Sequence, residues 1–172
     1  MIALIGPSGS GKTTIEQELI KKGYKRAISC TTRCPRKGEK HGLNYYFISE
    51  DKFKEDLQMG LMGEFTLYKG HYYGLPLSEL TDEAVVVVEP NGFKQLKSNS
   101  RFNICGYYLY CDEEVRRQRM LDRGDEPKQV EERISNDKEW FKDMEQLADV
   151  VIDTSNKALE EIVALISKEW GK

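Results

Sequence analysis

At 172 residues the chain is long enough to bury one compact core and too short for two ordinary domains. Hydrophobic residues make up 39% and charged residues 32%, a balance that suits a globular chain with much exposed helix. A net charge of −3 and a pI near 5.6 argue against general nucleic-acid binding, and no apolar run approaches the roughly eighteen residues that span a bilayer.

Met1 leads straight into "IALIG" without a charged leader or a cleavage site. Cys30, Cys34, Cys105 and Cys111 include no CxxC pair, so metal-ligand spacing is absent. The expectation is reduced thiols and a cytoplasmic chain with no membrane partner.

Ile2 to Ile5 form a short apolar run ending at glycine, as a buried parallel strand would read. A glycine-rich loop follows, then a helix with Ile15, Leu19 and Ile20 at helical spacing, ended by Gly23. "RAISC" and "NYYFI" read as strands separated by the turn-rich "PRKGEKHG". Ser49 reads as the N-cap of "EDKFKEDLQMG", and "GEFTLYKGHYYG" as a β-hairpin about a Lys-Gly turn. "AVVVV" is the clearest buried central strand, followed by the short helix "NGFKQLKS" and the strand "ICGYYLYC". From Asp112 to about Gln146 the pattern is helical, interrupted at "DRGDEPKQ"; "DVVID" is a last strand and "NKALEEIVALISKEW" a closing amphipathic helix. Strands alternating with helices in the outer thirds predict an α/β fold with a mainly parallel sheet. The strand-rich middle reads as an inserted antiparallel lobe.

Gly6 to Thr13 reads "GPSGSGKT" and satisfies G-x-x-x-x-G-K-[ST] between a strand and a helix. The glycines let successive N–H groups point at phosphate oxygens, and the helix N-terminus adds positive potential. Gly6, Ser8, Gly9, Ser10, Gly11, Lys12, Thr13 and Thr14 are therefore the expected ATP-contacting residues. Lys12 would reach the β- and γ-phosphates, and the Thr13 hydroxyl would ligate a Mg²⁺ ion that enters with ATP.

Residues 25–40 carry six Lys or Arg but only one acid, Glu39. Arg33 and Arg36 lie outside the first loop, and two guanidinium forks with tyrosine hydroxyls from Tyr45 and Tyr73 would suit a monophosphate dianion. The bland alternative is a solvated basic loop. Further on, Arg119 and Arg123 are spaced i and i+4, with Arg133 beyond the Gly–Pro interruption. They suit a flap closing over a transferred phosphoryl, or else a salt-bridged surface helix. Arg116 and Arg117 read as solvated surface.

"SCTTRCPRKGEKHGLNYYF", "GEFTLYKGHYYG" and the phosphate loop, in this order and spacing, resemble guanylate kinase from Met1 to about Leu165. The resemblance implies a three-layer P-loop NTPase fold with a mainly parallel central sheet, an antiparallel NMP-binding lobe and a helical lid. It implies a core of about 1–28, 75–118 and 146–172, a lobe of about 29–74 and a lid of about 119–145, all in a single 1–172 domain. It places the GMP phosphate on Arg33, Arg36, Tyr45 and Tyr73, the guanine on Ser29, Glu64 and Glu89, and the lid charge on Arg119, Arg123 and Arg133. Carboxylates suit guanine because its N1–H and exocyclic amine are adjacent donors, whereas adenine would leave such an acid unpaired.

The chain departs from the family pattern at Leu75, where a hydroxyl residue is usual, and at Val87 and Glu89, which replace "D-x-D". The lid connection "GDEPKQVEER" is also a residue shorter than usual, and "LQMGLMGEF" is compressed. The resemblance implies phosphoryl transfer from ATP to GMP or dGMP by a monomer or homodimer, with Lys12 and the lid arginines stabilising the transferring group. The alternatives are a related kinase acting on another phosphorylated acceptor, and a non-catalytic binding module; a complete phosphate loop disfavours the latter.

Overall fold

The computed structural model describes residues 1–68, 70–99 and 101–169, so Lys69 of the expected hairpin turn and Trp170 of the expected closing helix lie outside the described residues. Two sheets organise the chain.

The first sheet has the order β2-β7-β1-β8-β9, with β1 (Ile2–Ile5) at its centre. Around it stand β2 (Lys25–Arg26), β7 (Ala84–Val87), β8 (Cys105–Tyr110) and β9 (Val150–Asp153). Every pairing in this sheet is parallel. The central place goes to β1; the valine-rich β7 lies between it and the edge strand β2. Both faces are covered, as a parallel sheet requires. Ala3, Ile5 and Val86 face one core with Phe93 and Leu96 of α3 (Pro90–Ser98), together with Phe141 and Met144. Ile2, Leu4 and Val85 face the other, with Ile15 and Leu19 of α1 (Lys12–Lys21) and Ile162, Val163 and Ile166 of α7 (Leu159–Glu169). This is the three-layer arrangement.

The second sheet has the order β4-β3-β6-β5, from β3 (Cys30–Thr31), β4 (Tyr46–Phe47), β5 (Met62–Tyr68) and β6 (His71–Pro76). The expected antiparallel pattern holds for β3–β6 and for the β5–β6 hairpin, but β3 and β4 pair in parallel. The expected strand "RAISC" is divided between the two sheets. Ala27 N–H still bonds Val85 O in the first sheet, whereas the next amide, Ile28 N–H, goes to Glu79 Oε2. Glu79 Oε1 accepts the Tyr46 hydroxyl at 2.9 Å, so one carboxylate holds the crossover and β4 together. The expected strand "NYYFI" shortens to Tyr46–Phe47, because Tyr45 O accepts from Gly42 N–H and closes a turn instead. As expected, Ser49 Oγ caps α2 (Glu50–Gln58), accepting the Lys52 N–H at 3.2 Å.

The helical stretch after Asp112 becomes α4 (Glu113–Asp122), α5 (Pro127–Trp140) and the short α6 (Met144–Leu147). Gly124, at φ +90°, ends the α4 turn, and Pro127 opens α5 where no N–H is required. Val130 and Ile134 pack on Met120, joining α5 to α4 in a small core of their own.

Candidate active site

β1 ends at Gly6, and the loop reaches α1 through Gly9 and Gly11, whose φ values of +80° and +94° only glycine adopts freely. The loop is pressed onto its neighbours. A methyl at Gly6 would lie 2.8 Å from Leu109 O, and one at Gly9 2.8 Å from Arg116 O. The N-cap of α1, Gly11, provides no side-chain cap, so the first-turn N–H groups and the helix dipole are left to an anion. Lys12 Nζ donates to Gly6 O and, at 2.9 Å, to Pro7 O. Burial pushes its pKa down, while Glu89 and Asp137 oppose that shift by favouring the charged form.

A cleft opens beside this loop. Gly6, Ser8 and Lys12 form one wall; Glu89, at the N-cap of α3, and Tyr68 of β5 form another; Arg133, Asn136, Asp137 and Trp140 of α5 close it. Glu89 lines the cleft, where loss of solvation raises its pKa, with Lys12 opposing the rise and Asp137 adding to it.

On the second sheet lies a basic and aromatic patch. Arg33 donates Nη1 to Glu39 Oε2 and Nη2 to Glu39 Oε1, both at 2.9 Å, and Arg36 N–H adds a third bond to Glu39 Oε2 at 2.6 Å. These bonds hold the Glu39 carboxyl down at about 2. The Arg33 guanidinium lies 5.7 Å from the centre of the Tyr45 ring and 5.8 Å from that of Phe47, and its pKa is raised by Glu39 and by a bond to Tyr73. Tyr45 and Tyr73 meet edge to face at 6.0 Å, and burial raises the Tyr45 pKa. The Arg36 side chain is exposed at the loop's outer edge.

Glu64 and Glu89 link the patch to the cleft. Burial, opposed by a bond from the Leu75 N–H and helped by the charge of Glu89, pushes the Glu64 carboxyl up to about 7. Ser29 is half-buried at the crossover, its carbonyl accepting Tyr46 N–H. Leu75 is fully buried in the core shared with Val86 and Phe93, and Val87 packs on the side shared with α1 and α7.

The three arginines expected in a lid occupy two places. Arg123 and Arg133 share Asp125, with Arg133 Nη1 at 2.9 Å from Oδ2. Arg119 is turned under the phosphate loop, donating to Gly9 O at 3.3 Å and Thr154 O at 2.8 Å. Thus Gly6, Ser8, Lys12, Glu89 and Arg133 meet in one cleft, while Arg33, Tyr45 and Tyr73 form the neighbouring patch; Arg119 and Arg123 line neither. Thr13 and Thr14 are exposed in the first turn of α1, and Ser10 is buried beneath the loop.

The solvated-surface reading of Arg116 is corrected. It is buried, with Nη1 donating to Ser8 O at 3.2 Å and to Asp137 Oδ2 at 3.1 Å. Arg117 is ion-paired on three sides, to Glu113, Glu114 and Glu131. Sequence reasoning also passed over Asp137, Asn136, Trp140 and Tyr68. Asp137 had a visible signal: with Val130, Ile134 and Phe141 it falls on one helical stripe, and a charge on an apolar stripe is a buried charge needing a partner. Tyr68 had none, since its place in the cleft depends on how the hairpin folds over.

A parallel sheet centred on β1, a glycine loop feeding an uncapped helix and a cleft walled by lysine and arginine define a P-loop nucleotide-binding fold. The guanylate kinase family model matches residues 1–169. The guanylate kinase of Helicobacter pylori is 32% identical over 178 residues, spanning 98% of this chain and 86% of its own length. That of Prochlorococcus marinus is 36% identical over 138 residues, spanning 76% of this chain and 75% of its own. The crystal structure of guanylate kinase from Anaplasma phagocytophilum superposes with a TM-score of 0.72 at 24% identity, over 98% of this chain and 82% of that one. This chain belongs to the guanylate kinase family. Among the described residues no helix is long and apolar enough to cross a membrane.

Proposed function

We propose that the chain transfers the γ-phosphoryl group of ATP to GMP or dGMP, giving ADP and the nucleoside diphosphate. The observation that carries this reading is a pair of separate anion grips side by side: the uncapped loop with Lys12 in the cleft, and next to it the Arg33–Tyr45–Tyr73 patch, joined to the cleft where the Tyr68 ring meets Tyr73 at 6.5 Å. A hydrolase or a motor needs only the first.

In this reading Gly6, Ser8, Gly9, Ser10, Gly11, Lys12, Thr13 and Thr14 hold the triphosphate. Arg33, Arg36, Tyr45 and Tyr73 hold the acceptor phosphate, and Ser29, Glu64 and Glu89 read the base. Positioning the two phosphates in line supplies much of the catalysis, since the acceptor dianion is already a nucleophile and needs no base. Lys12 and Arg133 stand where negative charge spreads during transfer; Arg119 joins them by a swing of its side chain from beneath the loop, and Arg123 by movement of the turn after α4. Arg123 and Arg133 would exchange Asp125 for the phosphoryl oxygens.

Among the described residues no group of three or more His, Cys, Asp or Glu could hold a metal ion, which suits a cation that arrives on the triphosphate. The exposed Thr13 hydroxyl at the start of α1 fits as the one protein ligand of a Mg²⁺ ion. Bound there, the ion would neutralise β- and γ-oxygens. The reading divides the chain into a core (about 1–28, 75–118 and 146–172), an acceptor lobe (about 29–74) and a lid (about 119–145). It places the chain in the cytoplasm, acting as a monomer or homodimer.

The test is an ADP-coupled assay over a panel of nucleoside monophosphates with MgATP. Turnover concentrated on GMP and dGMP is expected. Comparable rates with AMP or CMP would overturn the guanine assignment, and no turnover with any acceptor would overturn the kinase assignment.

A further inference from the structure

Asp137 touches the phosphate loop from the same helix that carries Arg133. Its Oδ2 accepts the Ser8 N–H at 2.8 Å and an Arg116 Nη1 bond at 3.1 Å, while that Nη1 also donates to Ser8 O at 3.2 Å. One ion pair therefore grips both backbone groups of Ser8. Its two members come from different helices, α4 and α5, and only 6% and 10% of their side chains are exposed. The next residue, Gly9, lies so close to α4 that a methyl there would come 3.1 Å from Arg116 Cα. Asp137 is one helical turn beyond Arg133, so both project from the same face of α5, and both line the cleft beside Lys12.

We infer that Asp137 and Arg116 are positioning residues for ATP, setting the phosphate loop at a fixed distance from the helix that carries Arg133. A carboxylate alone beside this loop would repel a triphosphate. Arg116 cancels that charge, so the Ser8 N–H keeps its acceptor without an opposing anion. The later N–H groups of the loop and the first turn of α1 stay available for phosphate. The inference rests on the proposed ATP site, and ATP binding is therefore read without an acceptor.

The experiment measures the MgATP dissociation constant by calorimetry in Asp137→Ala, Asp137→Asn and the double variant Arg116→Met/Asp137→Leu, beside the GMP KM and the melting temperature of each. Asp137→Ala and the double variant should each weaken MgATP about tenfold and leave the GMP KM within about twofold, because only the loop is released. Asp137→Asn keeps an oxygen for Ser8 N–H and should recover most of that loss. The double variant leaves no unpaired buried charge and so retains the fold even where a single change does not. Unchanged MgATP affinity in the double variant would overturn the inference. So would parallel losses of ATP and GMP binding that track the melting temperature, which is the signature of a merely structural pair. If the unaltered chain binds MgATP with this mutational pattern but turns over no GMP, the acceptor assignment fails and the positioning role stands.

Discussion

The carboxylate of Glu64 rests against the backbone of Gly92 in α3, so close that a methyl at Gly92 would lie 2.8 Å from Oε2 and 3.2 Å from Cδ. The three atoms nearest that methyl all belong to the end of the Glu64 side chain, so the fold can absorb it by moving the carboxylate. Gly92→Ala should therefore lower the melting temperature little, yet raise the GMP KM about tenfold with the ATP KM nearly unchanged. Steady-state kinetics in both substrates, beside a thermal melt, checks this. A large loss of stability with unchanged acceptor kinetics would separate Glu64 from the base.

As the proposed reader of the base, Glu64 should also make acceptor binding depend on pH. Burial lifts its carboxyl from 4.5 to about 7, so in that window the folded chain keeps a proton that the unfolded chain has released. Its contribution to stability is complete below pH 4.5 and is lost as pH rises through about 7. Binding runs the other way, because guanine donors need the carboxylate. The GMP KM should fall as pH rises from about 6 to about 8, and Glu64→Gln should be weak throughout and lack the Glu64 step. The variant separates this titration from that of the GMP phosphate itself.

Cys34 is exposed between Arg33 and Arg36, and Arg33 Nη1 donates to its carbonyl at 2.7 Å. A phosphate held by the two arginines would shield its thiol. Saturating GMP should slow Cys34 alkylation at least about fivefold while ATP alone does not, and Arg36→Ala should abolish the protection and raise the GMP KM. Peptide mapping checks the site. Buried Cys30, whose thiol burial pushes up to about 12, serves as the unreactive internal control.

Gly106 in β8 faces the ring of Phe93, and a methyl there would lie 2.2 Å from Cζ. Phe93 is only 1% exposed, so the ring has no free volume to enter. Gly106→Ala should cost about 3 kcal/mol or more, read as a lowered melting temperature or denaturant midpoint. The Gly92 change tests what a carboxylate can yield; this one tests what a packed ring cannot.

Much of the fold was legible because it is local. Four consecutive apolar residues before a glycine read as β1, the valines as β7, and Ser49 followed by acids as a capped helix, since period and capping chemistry involve neighbours in the chain. The phosphate loop was legible for the same reason: its glycines, lysine and threonine act within eight residues of one another. Legibility failed where a partner lies far away in sequence. "RAISC" reads as one strand, and only Glu79, 51 residues beyond Ile28, shows where it leaves one sheet for the other.

By its own sequence, then, this chain specified a P-loop, a short constellation whose chemistry is complete in itself, whereas Arg33 and Arg36 alone read equally as a solvated basic loop and only the family resemblance joined them to Tyr45 and Tyr73 as a second grip. What only the tertiary structure decided is how the grips are held. Asp137 bonds an amide 129 residues away, and Arg116, read as solvated, is buried as its counter-charge. Glu64 acquires a carboxyl that titrates near neutrality from the elements folded over it. Burial and long-range pairing are properties of enclosed space, and a linear pattern carries them only as a charge standing on an apolar stripe.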